Sequence, residues 1–385
     1  MDFQLSQEQK MLQEMVRGFT EKEVKPVASE MDRKGLFPDG LVKKLAKLGL
    51  MGALTSPDYG GAGMDLVSYV LVMEEISKVW ASLGVIMTVN NSLVCDPIQR
   101  FGTESQKQKY LVPLAKGDRL GCYALTEPGA GSDAGAIKTR ARKENGGYVL
   151  NGTKIFITNG QQADLAIVYA TTAPEQGKQG ISAFIVEKGT AGFHVGKIED
   201  KMGLRASDTA ELLFQDCHVP AENLLGSENE GFKIALSTLD GGRIGIAAQA
   251  LGIAQACLEE ATAYAKERHQ FGRPIGEFEA IRFMVADMAM EIQAARLLTY
   301  RAAQLRQEGH KSTLPAAQAK LLASEMANRV AYKAVQIFGG YGYIKDFPVE
   351  RYYRDARITT LYEGTSEIQR LVIARELLKQ QTASL

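Results

Sequence analysis

Apolar residues near both ends of the chain recur at the spacing of an α-helix. Within residues 1–120 they fall three or four positions apart, as at Leu41, Leu45 and Leu48. The same spacing returns over residues 226–385. There it produces a long apolar stripe at Ile244, Ala247, Ala248 and Leu251. Such repeats predict amphipathic helices that pack by one face. We therefore expect an N-terminal helical domain over the first range and a C-terminal helical bundle over the second.

The middle of the chain, residues 121–225, has a different pattern. Apolar and polar residues alternate in segments such as GYVLNGTKIFITNG and AELLFQDCHV, which Gly and Asn turns separate. Alternation of this kind predicts the strands of an antiparallel β-domain. Because no internal repeat or extended linker interrupts the chain, we expect an α+β, multidomain fold whose parts pack as one unit.

Composition and charge argue against several kinds of partner. The 385 residues carry 45 Lys and Arg against 45 Asp and Glu, so no net charge attracts nucleic acid. No run of about 18 apolar residues is present to span a membrane, and the N-terminus MDFQLSQEQK lacks signal- or transit-peptide character. We expect a cytoplasmic protein if the source is bacterial, and a mitochondrial matrix protein if this is a processed eukaryotic chain.

The cysteines and histidines predict neither a disulfide framework nor a metal site. Four of each are scattered along the chain, and the adjacent pair Cys217 and His218 has no second pair to complete a ligand set. No haem CxxCH motif or iron–sulfur cysteine cluster occurs either. Electrons from any redox reaction here would therefore have to leave to a partner.

The segment YEGTSE, close to the C-terminus, contains the main catalytic candidate. Glu363 precedes a predicted amphipathic helix, for which Thr365 or Ser366 can serve as N-cap. Gly364 lets the backbone approach a ligand, and Tyr362 can shield the carboxylate from water, which raises a carboxyl pKa. We interpret Glu363 as a general base. The alternative is a Glu that only complements the helix dipole.

The glycine-rich stretch YALTEPGAGSDAG, which begins at Tyr123, formally contains a dinucleotide-binding pattern. A Rossmann unit requires a helix next, whereas the following Asn145-Gly146-Gly147 signals a hairpin, so we reject that fold. The loop can still bind a cofactor through backbone N–H groups at Gly129 and Gly131 and nearby hydroxyls. An ordinary β-turn rich in small residues is the alternative.

Five separated motifs resemble those of the flavin-dependent acyl-CoA dehydrogenases. YALTEPGAGSD, KIFITNG, RHQFG, QIFGGYGY and LYEGTSE occur in the order and approximate spacing of that family, and the similarity covers essentially the whole chain. The resemblance implies an N-terminal helical domain, a middle β-domain and a C-terminal four-helix bundle. It also implies FAD as cofactor and an acyl-CoA as substrate.

The resemblance assigns cofactor-binding residues to five regions. The loop after Tyr123 and the segment around Phe156, where the family often has Trp, would line and flank the isoalloxazine ring. Arg268 and its neighbours would reach the pyrophosphate of a flavin in the adjacent subunit; without the resemblance, a helix-terminal cation would be the alternative for Arg268. A helix break is likewise the alternative for Gly339 and Gly340. The full cofactor set is Tyr123, Leu125, Thr126, Gly131, Ser132, Phe156, Ile157, Thr158, Arg268, Gln270, Phe271, Gln336, Ile337, Gly339, Gly340, Thr365 and Glu367.

The resemblance also assigns the substrate contacts. Asp240 and Arg243 lie where the family binds the CoA end, although the two could simply pair with each other. Isovaleryl- and long-chain-type relatives place their base just before this Arg, where this chain has Gly242, so Glu363 is left as the base. The full substrate set is Ser132, Leu239, Asp240, Arg243, Tyr362 and Gly364.

The implied reaction removes the α-proton of an acyl-CoA while a hydride leaves to flavin N5, giving a trans-2-enoyl-CoA. The backbone N–H of Glu363 and a flavin ribityl hydroxyl would stabilise the thioester oxygen. Electron-transfer flavoprotein would receive the electrons, and the family implies a homotetramer, a dimer of dimers.

We expect a short, straight substrate such as butyryl-CoA, with short branched chains as the alternative. The segment LDGGRIGIAAQALGIAQ resembles the short-chain branch, and ASLGVIMTVNNSLVCDP has no cation for the second carboxylate of glutaryl-CoA. Three other readings differ in class: an acyl-CoA oxidase, a nitroalkane-oxidising or monooxygenase relative, and a non-catalytic assembly factor.

Overall fold

The N-terminal part of the protein is helical, as the apolar spacing predicts. The structure is a computed structural model and describes residues 4–381, so the outer limits predicted at residues 1 and 385 lie outside it. The first helix begins at Ser6, whose hydroxyl and Gln9 form a reciprocal capping box. The helices are α1 Gln7–Phe19, α2 Lys25–Lys34, α3 Asp39–Lys47, α4 Leu66–Val79, α5 Ala81–Thr88, α6 Asp96–Phe101, α7 Glu104–Gln106 and α8 Val112–Lys116, with π-helical turns at Thr20–Val24, Val89–Cys95 and Lys107–Leu111.

One eight-stranded sheet forms the middle of the molecule. Its strands are β1 Gly121–Ala124, β2 Arg140–Glu144, β3 Gly147–Thr158, β4 Leu165–Thr171, β5 Ile181–Glu187, β6 Phe193–Ile198, β7 Thr209–Pro220 and β8 Leu224–Leu225. Their order is β6-β7-β3-β2-β4-β5-β8, and β1 pairs with β4. The sheet is mostly antiparallel, as the prediction of an antiparallel β-domain requires, but two of its pairs, β1–β4 and β2–β4, are parallel. Neither of these pairs is adjacent in sequence, so no local turn fixes its direction.

The predicted hairpin at Asn145 and Gly146 joins β2 and β3. Glu144 pairs with Gly147, and both turn residues have positive φ, of 45° and 78°. This is the two-residue turn that Asn-Gly favours. The glycine-rich loop is therefore followed by a strand, and the rejection of a Rossmann unit is confirmed.

The C-terminal part is a bundle of long helices. The helices are α9 Gly231–Glu267, α10 Glu279–Gln307, α11 Thr313–Phe338, α12 Val349–Arg357 and α13 Ser366–Gln381, and a hairpin of β9 His269–Gln270 and β10 Arg273–Pro274 joins the first two. The central helix α9 packs against α4, α10 and α11. Its predicted stripe is fully buried, at Ile244, Ala247, Ala248 and Leu251. Within residues 4–381, no helix combines the length and apolar character needed to cross a bilayer.

Candidate active site

Glu363 lies in a tight turn whose backbone is held from two sides. Its φ is +50°, a left-handed conformation that is rare for a side chain of this size. Gln369 Nε2 donates to the Glu363 and Gly364 carbonyls at 3.1 and 3.0 Å, and Lys320 Nζ donates to the Gly364 carbonyl at 2.7 Å. Thr365 Oγ1 accepts from the Ile368 amide and caps α13. The turn thus fixes the Glu363 backbone, from which the carboxylate extends.

The Glu363 carboxylate lies against the backbone of α9. A Cβ built on Gly242 would come within 2.1 Å of Glu363 Oε2 and 2.9 Å of its Cδ. Oε2 is buried and has no hydrogen-bond partner in the described part of the chain. Burial raises the pKa of Glu363 to about 7, and the nearby cations Lys320 and Arg243 oppose this rise. A carboxyl with such a pKa is suited to take a proton near neutral pH.

Three tyrosines from different parts of the chain surround this carboxylate. Tyr69 comes from α4 and Tyr123 from β1, while Tyr362 precedes the base, and the Glu363 charge contributes to a raised pKa at each phenol after the larger effect of burial. Tyr362 donates its hydroxyl proton to Gln249 Oε1. The carboxylate therefore lies where the helical parts meet the sheet, and Tyr362 stands beside it, where it could shield the carboxylate from water.

The glycine-rich loop that follows Tyr123 is anchored by a buried ion pair. Lys154 Nζ lies 2.7 Å from Glu127 Oε1 and donates to the Leu125 carbonyl at 3.0 Å. The amides of Lys138 and Thr139 also donate to Glu127. Burial lowers the pKa of Lys154 to about 8, although Glu127 opposes the change. The pair fixes the base of the loop, while its tip stays open at Gly131 and Ser132.

Phe156 presents its ring to solvent beside this loop. The pairing of β3 with β7 shifts register between Lys154 and Ile157, and Phe156 sits in this bulge with φ +58° and 61% exposure. The Ile155 amide donates to the Thr126 carbonyl at 2.9 Å, which brings the loop next to the bulge. Ile157 instead points into the sheet core, so only its backbone can face a ligand, and Thr158 is partly buried.

A second group of predicted cofactor residues lines a cavity of about 440 Å³ at the end of α9. It brings together Arg268, Gln270, Ile337, Gly339 and Gly340, which come from two separate motifs. The Arg268 guanidinium lies 5.5 Å from the centre of the Tyr341 ring, and it forms no ion pair among the described residues. Gln336 is exposed and does not line this cavity.

Phe271, the remaining member of the RHQFG motif, occupies the tip of the β9–β10 hairpin. Its φ is +52° and its side chain is 92% exposed. An aromatic residue in a left-handed turn is strained and gains no burial within this chain.

Asp240 and Arg243 line a cavity of about 510 Å³ between α9 and α13. Arg243 Nη1 lies 2.6 Å from Asp240 Oδ1, so the two residues do pair, as the alternative interpretation holds. Lys178 and Arg375 also line this cavity and supply further positive charge. Leu239 is partly buried and packs against the cores on both sides. Outside this cavity, Glu367 is exposed in the first turn of α13.

Comparison with known proteins agrees with this geometry. Family profiles described as the N-terminal, middle and C-terminal domains of acyl-CoA dehydrogenase match residues 6–118, 122–217 and 229–378. The chain belongs to the acyl-CoA dehydrogenase family. This is an oxidoreductase family, so the chain is an enzyme of that class.

Relatives cover the full length of the chain. It is 55% identical to the short-chain specific acyl-CoA dehydrogenase of Clostridium acetobutylicum, with 98% of this chain and 100% of the relative covered. Butyryl-CoA dehydrogenase from Megasphaera elsdenii superposes with a TM-score of 0.97 at 51% identity, covering 98% and 100% of the two chains. A chain from a structure of the electron transferring flavoprotein of Acidaminococcus fermentans gives a TM-score of 0.97 at 53% identity and the same coverage.

The residues expected to hold FAD in an acyl-CoA dehydrogenase have a suitable arrangement here. The exposed ring of Phe156 lies beside an open loop that is rich in hydrogen-bond donors. A ring of this size can cover a planar ligand. The Arg268 cavity pairs a guanidinium with Gly339 and Gly340, where a Cβ would meet no atom within 4 Å. Backbone can approach a phosphate or adenosine group closely there. The residues therefore fit the cofactor of the family.

Several residues that shape this acyl-CoA dehydrogenase site were not predicted as site residues. They are Lys154 with Glu127, Lys320 and Gln369. Glu127 and Lys154 nevertheless lie within the motifs YALTEPGAGSD and KIFITNG. For Lys320 the sequence signal is a lysine in an apolar setting. Lys320 lies four residues after Ala316 and three before Ala323, on the buried stripe of α11, and Lys154 falls in the alternating segment that forms β3.

Proposed function

We propose that this enzyme catalyses the FAD-dependent α,β-dehydrogenation of a short-chain acyl-CoA, with Glu363 as the base. The observation that carries the proposal is the Glu363 carboxylate. Its Oε2 is buried against Gly242 with no hydrogen-bond partner among residues 4–381, and burial raises its pKa to about 7 despite two nearby cations. Glu367, in the first turn of α13, is by contrast exposed.

In the proposed reaction Glu363 takes the α-proton of the acyl thioester. The α-proton is weakly acidic, so the negative charge on the thioester oxygen must be stabilised as it forms. The Glu363 amide donates to no acceptor within the described residues and can bond this oxygen. Bound FAD would supply the hydride acceptor. Tyr362 and Tyr123 exclude water from the carboxylate, while Gly131, Ser132, Phe156 and Arg268 belong to the surfaces that would hold the flavin.

The α9 face beside Glu363 supports a short acyl chain. Gly245 follows Gly242 by one helical turn, a rise of about 4.5 Å, and a Cβ there would lie 2.5 Å from Thr88 Oγ1. Tyr69 OH donates to Thr88 at 2.9 Å, so the side chains opposite Gly245 are fixed. A butyryl chain is compatible with this limited depth. The CoA end would lie in the Asp240–Arg243 cavity.

We also propose that the enzyme acts as a homotetramer that passes electrons to electron-transfer flavoprotein. Phe283, Met290 and Leu297 are exposed seven residues apart on α10, an apolar stripe suited to another helix. The exposed Phe271 supports a subunit contact at the flavin site. The similarity to a chain from the A. fermentans structure supports the electron acceptor. The proposed domain limits, 1–120, 121–225 and 226–385, place all eight strands of the sheet in the middle domain.

The test is Glu363→Gln with FAD bound. Without a base, anaerobic bleaching of the flavin by butyryl-CoA should slow by about 100- to 10,000-fold. Stopped-flow absorbance measures the rate. If the variant bleaches within a few-fold of the unaltered enzyme, Glu363 is not the base.

Substrate and acceptor are tested separately. We expect kcat/KM with an artificial electron acceptor to be highest for butyryl-CoA among butyryl-, isobutyryl-, octanoyl-, palmitoyl- and glutaryl-CoA. A maximum at octanoyl-CoA or longer would contradict the short-chain assignment alone. Rapid turnover in air without any partner protein would instead identify an acyl-CoA oxidase.

A further inference from the structure

Lys320 is a fully buried lysine beside the turn that carries Glu363. Its side chain is inaccessible to solvent, and its Nζ donates to the Gly364 carbonyl at 2.7 Å. It forms no ion pair within 4 Å among the described residues. Burial lowers the pKa of Lys320 to about 8, and among its charged neighbours Glu363 opposes this change most. A buried ammonium group destabilises the folded protein unless other groups interact favourably with its charge.

The hydrogen bond to Gly364 does not by itself require a charge. Gln369, also buried, donates to the same carbonyl at 3.0 Å and to that of Glu363 at 3.1 Å. A neutral donor therefore already serves the turn. Lys320 differs from Gln369 in carrying a positive charge, which α11 places beside the turn.

Other ionisable groups around Glu363 do not replace this charge. Among the described residues, Arg243 on α9 is the only other cation that lowers the pKa of the Glu363 carboxylate, and its Nη1 lies 2.6 Å from Asp240 Oδ1. The neighbouring phenols of Tyr69, Tyr123 and Tyr362 are uncharged at neutral pH, since each has a raised pKa. Around Lys320 itself, the remaining charges are those of Arg243, Glu325 and Glu367.

We propose that Lys320 is a positioning residue that holds the Glu363 turn through Gly364 and keeps the carboxylate ionised, and so able to accept a proton, at neutral pH. The part that concerns proton transfer rests on the proposed role of Glu363 as base. The part that concerns ionisation does not, because it can be measured without substrate.

The first experiment measures the ionisation of Glu363 through stability. Thermal melts of the FAD-loaded protein, with Glu363 and with Glu363→Gln, are compared from pH 5 to pH 9. The slope of their difference in melting temperature against pH falls to half of its steepest value at the pKa of Glu363 in the folded state, and this pH is taken as the midpoint. Introducing Lys320→Met removes an attractive charge, so this midpoint should rise by roughly one pH unit.

The matched control is Gln369→Met, which removes a neutral donor from the same carbonyls and should leave the midpoint unchanged. Lys320→Arg retains the charge and should restore most of the original value. If Lys320→Met does not fold, Lys320→Gln provides a neutral, polar substitute. An unchanged midpoint in the neutral variants, or an equal shift in Gln369→Met, would overturn the proposal.

A second measurement connects this ionisation with proton transfer. The acid limb of the pH profile for anaerobic bleaching should move upward in Lys320→Met by the same amount as the stability midpoint. If the midpoint moves and the bleaching profile does not, the positioning role is overturned. If Glu363→Gln bleaches normally, the proposed function fails instead, and the stability result stands by itself.

Discussion

Gly242→Ala is expected to displace the base without altering any group that reacts. The new Cβ would lie 2.1 Å from Glu363 Oε2, 2.9 Å from its Cδ and 2.9 Å from Leu93 Cδ2. The helix backbone of α9 cannot move away easily, because further along it Gly252 packs against the backbone of α4. The Glu363 carboxylate, whose Oε2 has no hydrogen bond within the part of the chain that the structure describes, is the part that yields.

The size of the effect follows from the overlap. Ordinary contact begins near 3.4 Å, so the carboxylate must shift by about 1.3 Å, the difference between 3.4 and 2.1 Å. A misplacement of about 1 Å at a reacting group costs on the order of 100-fold in rate. We therefore expect bleaching of the flavin by butyryl-CoA to slow by about 100-fold while FAD stays bound. Stability should change little, because a gain of about 1 kcal/mol in helix propensity offsets part of the strain.

The control is Gly241→Ala, one residue earlier in the same helix. Its Cβ would meet only the end of the Arg306 side chain, at 3.0 Å, which can move aside. This variant receives the same gain in helix propensity and should bleach within about three-fold of the unaltered enzyme. Stopped-flow bleaching and thermal melts are measured on both proteins. Equal bleaching rates in the two variants would refute the placement of the Glu363 carboxylate against Gly242.

Three further predictions address the base, the cofactor and the loop. Burial raises the pKa of Glu363 from 4.5 to about 7. The protonated carboxyl therefore contributes fully to the stability of the folded protein below about pH 4.5, and this contribution is lost as pH rises through 7. Glu363→Gln should therefore be more stable than the unaltered enzyme at pH 8, by up to about 3 kcal/mol. If the two proteins have equal melting temperatures at both pH 5 and pH 8, this prediction is contradicted. Arg268→Glu should lose FAD and tetramer together, because a negative charge would face the pyrophosphate across a subunit boundary; a variant that sheds FAD but stays tetrameric by light scattering would contradict it. Lys154→Met should lower the free energy of unfolding by about 3 kcal/mol and weaken FAD binding, because Glu127 stays buried without its partner. The double variant with Glu127→Gln should recover most of the lost stability. Equal melting temperatures of the single and double variants would count against this.

Local features of the fold were predictable because the signals lie within a few residues. The stripe at Ile244 and Leu251 is buried because apolar residues at helical spacing share one face. The Asn145–Gly146 turn formed because both residues tolerate positive φ. The parallel pairing of β1 with β4 carries no such local signal, because it depends on how separated segments cross the sheet.

The motif residues were predictable as a set, but their mutual arrangement was not. The sequence identifies Glu363, Phe156 and Phe271 as candidates, and only the structure shows that each has a left-handed backbone. The same holds for Gly242: its missing side chain is visible in the sequence, whereas the Glu363 carboxylate that occupies the space comes from a distant segment.

The sequence by itself determined the helical and β regions, the motifs and the identity of the candidate base, because periodicity and motif chemistry are properties of neighbouring residues. Tertiary structure decided the electrostatics of the site. The pKa of Glu363 and the buried charges of Lys320 and Lys154 depend on which groups surround them after folding. Desolvation and charge–charge interactions act through space, so residues far apart in the chain set the proton affinity of the site.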